Sequence, residues 1–126
     1  MIDDFVKALL PAGLLDHFDI VTFIEKVSKD SGESFYELHL DEKNELPSGY
    51  SRSEYESKGF YKAKKIQDFP IRGKAFYLVI KRRRWRHKET KQVIKSDYSF
   101  ISKGVKLTEE LSVFLKGTGR DPRRYA

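Results

Sequence analysis

The sequence predicts a small α+β domain: an N-terminal helix, a β-hairpin, a basic three-strand antiparallel ribbon-like meander and a short C-terminal helix. Three observations carry this. Apolar residues recur at helical spacing near the two ends, they alternate with polar ones through most of the middle, and Gly, Pro and Asp clusters punctuate that middle. The 126 residues (14.8 kDa) suffice for one domain with one core, and seventeen aromatics (nine Phe, seven Tyr, one Trp) supply its bulk. At 39% apolar and 35% charged, the chain is more polar than a typical domain without having a disordered composition.

Ile2, Phe5, Val6, Leu9 and Leu10 form the stripe of an amphipathic helix, with Asp3 and Asp4 in its first turn where the helix dipole favours acids. Pro11 ends it, and a second short turn is expected at 14–18. From Ile20 to Val27 the period becomes two, and residues 29–33 (Lys-Asp-Ser-Gly-Glu) make a turn. Alternation resumes over 35–40, with Tyr36, Leu38 and Leu40 on one face and Phe35, Glu37 and His39 on the other. Residues 1–40 thus read as an acidic helix plus hairpin. Residues 41–59 are polar, with Pro47, Gly49 and Gly59, and read as a long loop. Residues 60–117 form the basic part: a strand over 60–69, a turn over 68–74, a long strand over 75–85 with Phe76, Leu78 and Ile80 on one face, a turn at 88–91 and a weaker strand over 92–101. Thr108 is placed to cap a final helix with Glu109 and Glu110 in its first turn; Leu111, Phe114 and Leu115 supply its stripe and Gly117 stops it. Residues 118–126 are a tail.

Several classes of chemistry are excluded or disfavoured. With no cysteine there is no disulfide, iron–sulfur cluster, thiol nucleophile or cysteine-bearing zinc site. His17, His39 and His87 lie in unrelated segments, so no metal and no cofactor is expected. The acids of the basic half (Asp68, Glu89, Asp97, Glu109, Glu110, Asp121) form no recognisable catalytic pair, and Gly117-Thr118-Gly119 lacks the rest of a phosphate-binding loop. No apolar run approaches the ~18 residues of a membrane span. The acidic opening Met1-Ile2-Asp3-Asp4 does not resemble a secretory signal, and a cytoplasmic location is expected.

Charge is strongly segregated. Residues 1–60 hold six Lys/Arg against thirteen Asp/Glu, a net of −7; residues 61–126 hold nineteen against six, a net of +13. A half-chain of that charge is the footprint of a polyanion binder, the alternative being that the halves neutralise each other internally. The run Lys81-Arg82-Arg83-Arg84-Trp85-Arg86-His87-Lys88 concentrates it. On a strand, Arg82, Arg84 and Arg86 would form one row and Lys81, Arg83 and Trp85 the other. Phosphates supply the counter-charge such a row needs, and the arginine fork holds phosphate or a guanine edge bidentately. Edge protection needs only one or two such charges. The single Trp, Trp85, is expected in the core rather than stacked on a base.

The runs 57–61 (Ser-Lys-Gly-Phe-Tyr), 66–74 (Ile-Gln-Asp-Phe-Pro-Ile-Arg-Gly-Lys) and 77–86 (Tyr-Leu-Val-Ile-Lys-Arg-Arg-Arg-Trp-Arg) closely resemble the N-terminal region of a family of bacterial insertion-sequence transposases. Residues 103–110, 114–116 and 9–18 are similar to it as well, so the resemblance spans most of the chain. In the broader family it implies a zinc ribbon ahead of a helix-turn-helix and a catalytic acidic-triad domain. Here the ribbon cysteines are absent and His87 stands about where the first would be, which implies a metal-free ribbon held by aromatic packing. The acidic-triad domain has no counterpart in these residues.

The expected function is a non-catalytic, DNA-binding N-terminal transposase module that engages the terminal repeats of the mobile element in double-stranded DNA, beside a separate catalytic region. Lys74, Lys81, Arg82, Arg83, Arg84, Arg86, Lys103 and Lys106 are the expected phosphate contacts. The alternative is an assembly module in which acidic and basic halves dock between subunits; a stand-alone nuclease is disfavoured by the missing acid cluster.

Overall fold

The computed structural model describes residues 4–101 and 106–118. Two short helices, α1 (Asp4–Ala8) and α2 (Leu14–His17), lead into β1 (Phe18–Val27) and β2 (Ser34–Glu42), the hairpin expected from the alternation. Its turn closes through a hydrogen bond from Ser28 N to Glu33 O (2.9 Å), with Gly32 at φ +74° where a side chain is rarely tolerated. Of the helical stripe at the N-terminus, Leu10 packs against the core, whereas no residue of α1 is fully buried and Phe5 is exposed.

The chain continues through β3 (Tyr55–Phe60), β4 (Lys64–Ile71), β5 (Lys74–Lys81), β6 (Arg83–His87) and β7 (Val93–Ile94) to α3 (Glu109–Gly117). β1, β2, β5 and β4 form one sheet in that order; β3, β6 and β7 form another. In the first sheet, two antiparallel hairpins are joined by a parallel pairing of β2 with β5, in which Tyr36, Leu38 and Leu40 register with Phe76, Leu78 and Ile80. These strands carry Leu38, Leu40, Phe76, Leu78 and Ile80, and placing them at the centre of the sheet buries all five. Leu14, Phe18, Ile66 and Phe100 close over that face to complete the core.

The expected meander is present in its chain path but divided between the two sheets. The long strand over 75–85 breaks at Arg82. Alternation places 76, 78 and 80 on the core face, so an unbroken strand would send the Arg82 guanidinium after them into apolar packing. The chain instead leaves the first sheet, Arg82 turns to Ser96 O (3.2 Å) and Asp97 Oδ1 (3.3 Å), and β6 restarts in the second with Trp85 buried. The expected strand over 60–69 is likewise split, with residues 61–63 lying between β3 and β4. The strand expected over 92–101 reduces to Val93–Ile94 plus a bridge from Ile101 to Thr108, because Tyr98 and Phe100 leave the ladder to pack on Phe18.

The polar stretch 41–59 is a loop only in its middle. β2 runs to Glu42, and β3 starts at Tyr55. β3 has little apolar content of its own and forms because Glu56 and Ser57 pair with Arg86 and Trp85 of β6. The C-terminal helix follows expectation. Thr108 is its N-cap, accepting from Leu111 N, and Leu111 and Leu115 are buried. Phe114 remains largely exposed, touching the edge of the Phe69 ring. Among the described residues, no helix is long and apolar enough to cross a membrane.

Candidate nucleic-acid interface

Each member of the basic run acquires a different environment, set by where β5 ends and β6 begins. Lys81 is exposed and registers with Asp41 of β2. Arg82 is largely covered, held by Asp97 and the Ser96 carbonyl. Arg83 donates its main-chain N–H to Glu42 Oε1 (2.7 Å), its Nε to Glu42 O (3.0 Å) and Nη1 to Ser57 Oγ (3.2 Å), and its guanidinium covers the Phe60 ring. Arg86 donates to Glu56 Oε1 at 3.0 Å, a carboxylate that Lys58 also approaches at 3.5 Å. The Arg86 hydrogen bond holds the Glu56 carboxyl below its ordinary range, burial opposes it, and the Lys58 charge adds to it. Trp85 is 1% exposed, with the Arg52 guanidinium over its ring, so it belongs to the interior.

Arg84 stands apart. It is exposed, and its guanidinium lies 5.8 Å from the centre of the Tyr61 ring, which Lys95 Nζ approaches at 5.2 Å. Among the described residues neither cation has a carboxylate within ion-pairing distance. The register explains the meeting: Trp85 pairs with Ile94, so the next step of the antiparallel ladder brings Arg84 beside Lys95. Because Trp85 turns inward, Arg84 and Arg86 share the opposite face of β6, with Glu56 and Lys58 beside them on β3. Arg86 and Lys58 therefore gather at one carboxylate, that of Glu56, and Arg84 and Lys95 at one half-buried ring, that of Tyr61.

The other expected contacts lie elsewhere. Lys74 starts β5 at its opposite end, roughly 23 Å of strand from Lys81. It is bound to Glu25 Oε2 at 2.6 Å and lies over the Tyr36 ring; the Glu25 hydrogen bond raises its pKa. Lys106 is exposed, but its carbonyl accepts from Gln67 N (2.9 Å) at the far edge of the first sheet. Lys103 lies outside the described residues. The seven expected residues that the structure describes thus form no single surface. Tyr61, Lys58 and Lys95 were not expected, although counting the β6–β7 register outward from the 88–91 turn would have placed Lys95 opposite Arg84.

His87, at the position of the missing ribbon cysteine, organises the turn after β6. Its Nδ1 accepts from Glu89 N and Thr90 N, both at 3.1 Å, and Nε2 faces Glu54 Oε2 at 3.6 Å. Among the described residues, no three His, Asp or Glu side chains converge as metal ligands do. Asp68 is buried and accepts from the Thr108 hydroxyl (2.9 Å); its burial raises its pKa. A cleft of about 710 Å³ beside Lys95 is lined by Glu42, Asp97, His17 and Tyr98 as well as by Lys43, a mixture of charges unsuited to a polyanion. No family model, curated protein or solved structure is significantly similar to the chain.

Proposed function

We propose that the chain is the DNA-binding N-terminal module of an insertion-sequence transposase, which engages the ends of the mobile element while a separate acidic-triad region performs strand transfer. The resemblance over residues 57–86 supports the family. The observation that carries the binding role is the meeting of Arg84 and Lys95 on Tyr61: two exposed cations close together, without an acid of their own, beside Arg86 and Lys58. Like charges held together in this way are stabilised by a phosphate, and a duplex backbone presents phosphates along such a face. Arg84 is the residue able to hold one bidentately.

The docking of one copy's acidic half on another's basic half has less charge to draw on. Glu25, Glu37 and Glu56 already take Lys74, Lys65 and Arg86 of their own chain. The deciding measurement is duplex affinity against salt, using DNA from the element's terminal repeats. Each phosphate contact contributes about −0.9 to the log–log slope, so Arg84→Ala with Lys95→Ala flattens it by about 1.8. A folded double variant with unaltered affinity and slope refutes the assignment.

A further inference from the structure

The two edges of the four-stranded sheet are treated differently. At β4 the edge is closed: Gln67 N donates to Lys106 O and Thr108 N donates to Gln67 O, both at 2.9 Å. At β1 it is open. This ten-residue strand pairs with β2 alone among the described residues, and its other rim carries a row of main-chain donors and acceptors. The usual devices that blunt such an edge are weak here. The strand is long and has no proline; its single bulge lies between Ile20 and Thr22, and of its charged residues Glu25 and Lys26 are drawn to Lys74 and Glu37 of their own sheet.

The side chains reinforce this. Ile20, Phe23 and Val27 lie on the face that β2 uses for the core, opposite Leu40, Leu38 and Ser34, yet Phe23 is 52% and Val27 64% exposed. Phe23 has only the stacked Tyr36 ring as an aromatic neighbour (5.2 Å). The core face therefore continues past the point where the protein's own elements cover it.

We propose that a second copy of this chain adds its own β1 to this edge, antiparallel and about a two-fold axis near Thr22 and Phe23, joining two four-stranded sheets into one. Charge selects that partner and that direction. Asp19 registers with Asp41, two acids side by side, with Lys81 the cation beyond Asp41, so Asp19 is left at the rim. Lys26 lies on the same sheet face at the other end of β1, half-exposed even though it reaches Glu37. Asp19 and Lys26 are equidistant from the strand centre, so antiparallel self-pairing brings each Asp19 to the other copy's Lys26. A parallel arrangement would stack acid on acid. The two-fold also sets Phe23 of one copy beside Phe23 of the other, covering the exposed core face from both sides.

The experiment uses the whole chain. Sedimentation should give twice the 14.8 kDa chain mass, and the dimer should persist from about 0.1 to 1 M salt, where surface charges are screened out. The chain contains no cysteine, so Thr22→Cys, Phe23→Cys and Asp30→Cys each carry a single thiol. Strands paired about Phe23 bring its two Cα atoms to about 4.5–5.5 Å, within disulfide reach. Cys at 23 should therefore cross-link to its mate much faster than Cys at 30, and faster than Cys at 22, which lies diagonal to its mate at about 7–8 Å. Phe23→Lys should yield a monomer, and Val27→Lys, farther from the axis, is the second variant should the first fail to fold. A wild-type monomer at every concentration, or a salt-labile dimer whose thiol at 23 reacts no faster than at 30, overturns the proposal. The first outcome leaves the edge to another protein's strand, and the second assigns the dimer to docking of the charged halves.

Discussion

Glu42 and Arg83 hold each other twice. The Glu42 carboxylate accepts the Arg83 main-chain N–H at 2.7 Å, and the Arg83 guanidinium returns a bond from Nε to the Glu42 carbonyl at 3.0 Å. The pair joins the end of β2 in one sheet to the start of β6 in the other, next to the break at Arg82. The Tyr98 hydroxyl donates to the other Glu42 oxygen; burial, reinforced by that bond, raises the Tyr98 pKa. The guanidinium of one arginine of the basic run is thereby engaged by a main-chain carbonyl and the Ser57 hydroxyl.

Glu42→Ala should cost about 2–3 kcal/mol, because it leaves two partly buried donors without an acceptor. Urea unfolding measures this. A change under about 0.5 kcal/mol would mean that the pair does not hold the two sheets together.

The arginines should separate by effect. Arg82→Ala should lower stability by roughly 1–2 kcal/mol, through loss of its bonds to Ser96 and Asp97, while leaving the salt slope of DNA binding nearly unchanged. Arg84→Ala should do the reverse, flattening the slope by about 0.9 at constant melting temperature. Equal slopes for the two variants would discredit the placement of the interface at Arg84.

Glu37 governs acid stability. It is 4% exposed; burial pushes its carboxyl up, but hydrogen bonds from Lys26, His39 and Lys65 together outweigh that and hold it at about 2. A depressed folded pKa stabilises fully above the ordinary value of 4.5 and loses that contribution as pH falls towards 2. The contribution is on the order of 2–3 kcal/mol. Glu37→Gln should be less stable at pH 7 and show a flatter acid limb in denaturation between pH 5 and about 2. An acid limb identical to wild type would remove Glu37 from this role.

Asp68 acts with the opposite sign. Burial raises its pKa, with the Phe69 amide and Thr108 hydroxyl opposing and the Glu110 charge assisting, so its contribution is fully present below the ordinary value of 3.8 and is lost as pH rises through the raised one. Asp68→Asn should therefore gain relative to wild type as pH rises past the ordinary carboxylate range. Thr108→Ala removes both the cap of α3 and the donor to Asp68, and should cost about 2 kcal/mol. A relative gain for Asp68→Asn on acidification, read by denaturation at several pH values, would contradict this.

Trp85 provides a check on the interior. As the single Trp, and 1% exposed, it should emit at short wavelength and resist acrylamide quenching until the chain unfolds. DNA should not quench it by stacking. Ready quenching in the native state would place the ring outside.

The parts of the fold visible in the sequence were those written in neighbouring residues. Period-two alternation grouped Tyr36, Leu38 and Leu40, and Phe76, Leu78 and Ile80, on common faces, and Thr108 followed by two acids marked the start of α3. β3 was hidden because its residues, Tyr-Glu-Ser-Lys-Gly-Phe, have no apolar period. Their pairing energy comes from β6, some thirty positions later. The candidate interface was half legible. Arg84 and Arg86 belonged to the expected row, whereas Lys95 and Tyr61 join them only through the register of β7 and the path out of β3.

By itself, the sequence determined the α+β class, which residues of the central strands share a face, the helix cap and the excess of cations after residue 60, since each depends on local period or on a count. Tertiary structure decided the parallel joining of β2 to β5, the break at Arg82 and the cations left facing solvent. The reason is range. Glu56 meets Arg86 across 30 positions and Glu25 meets Lys74 across 49. A net charge of +13 is blind to such pairings, and only folding brings a particular carboxylate within 4 Å of a particular cation.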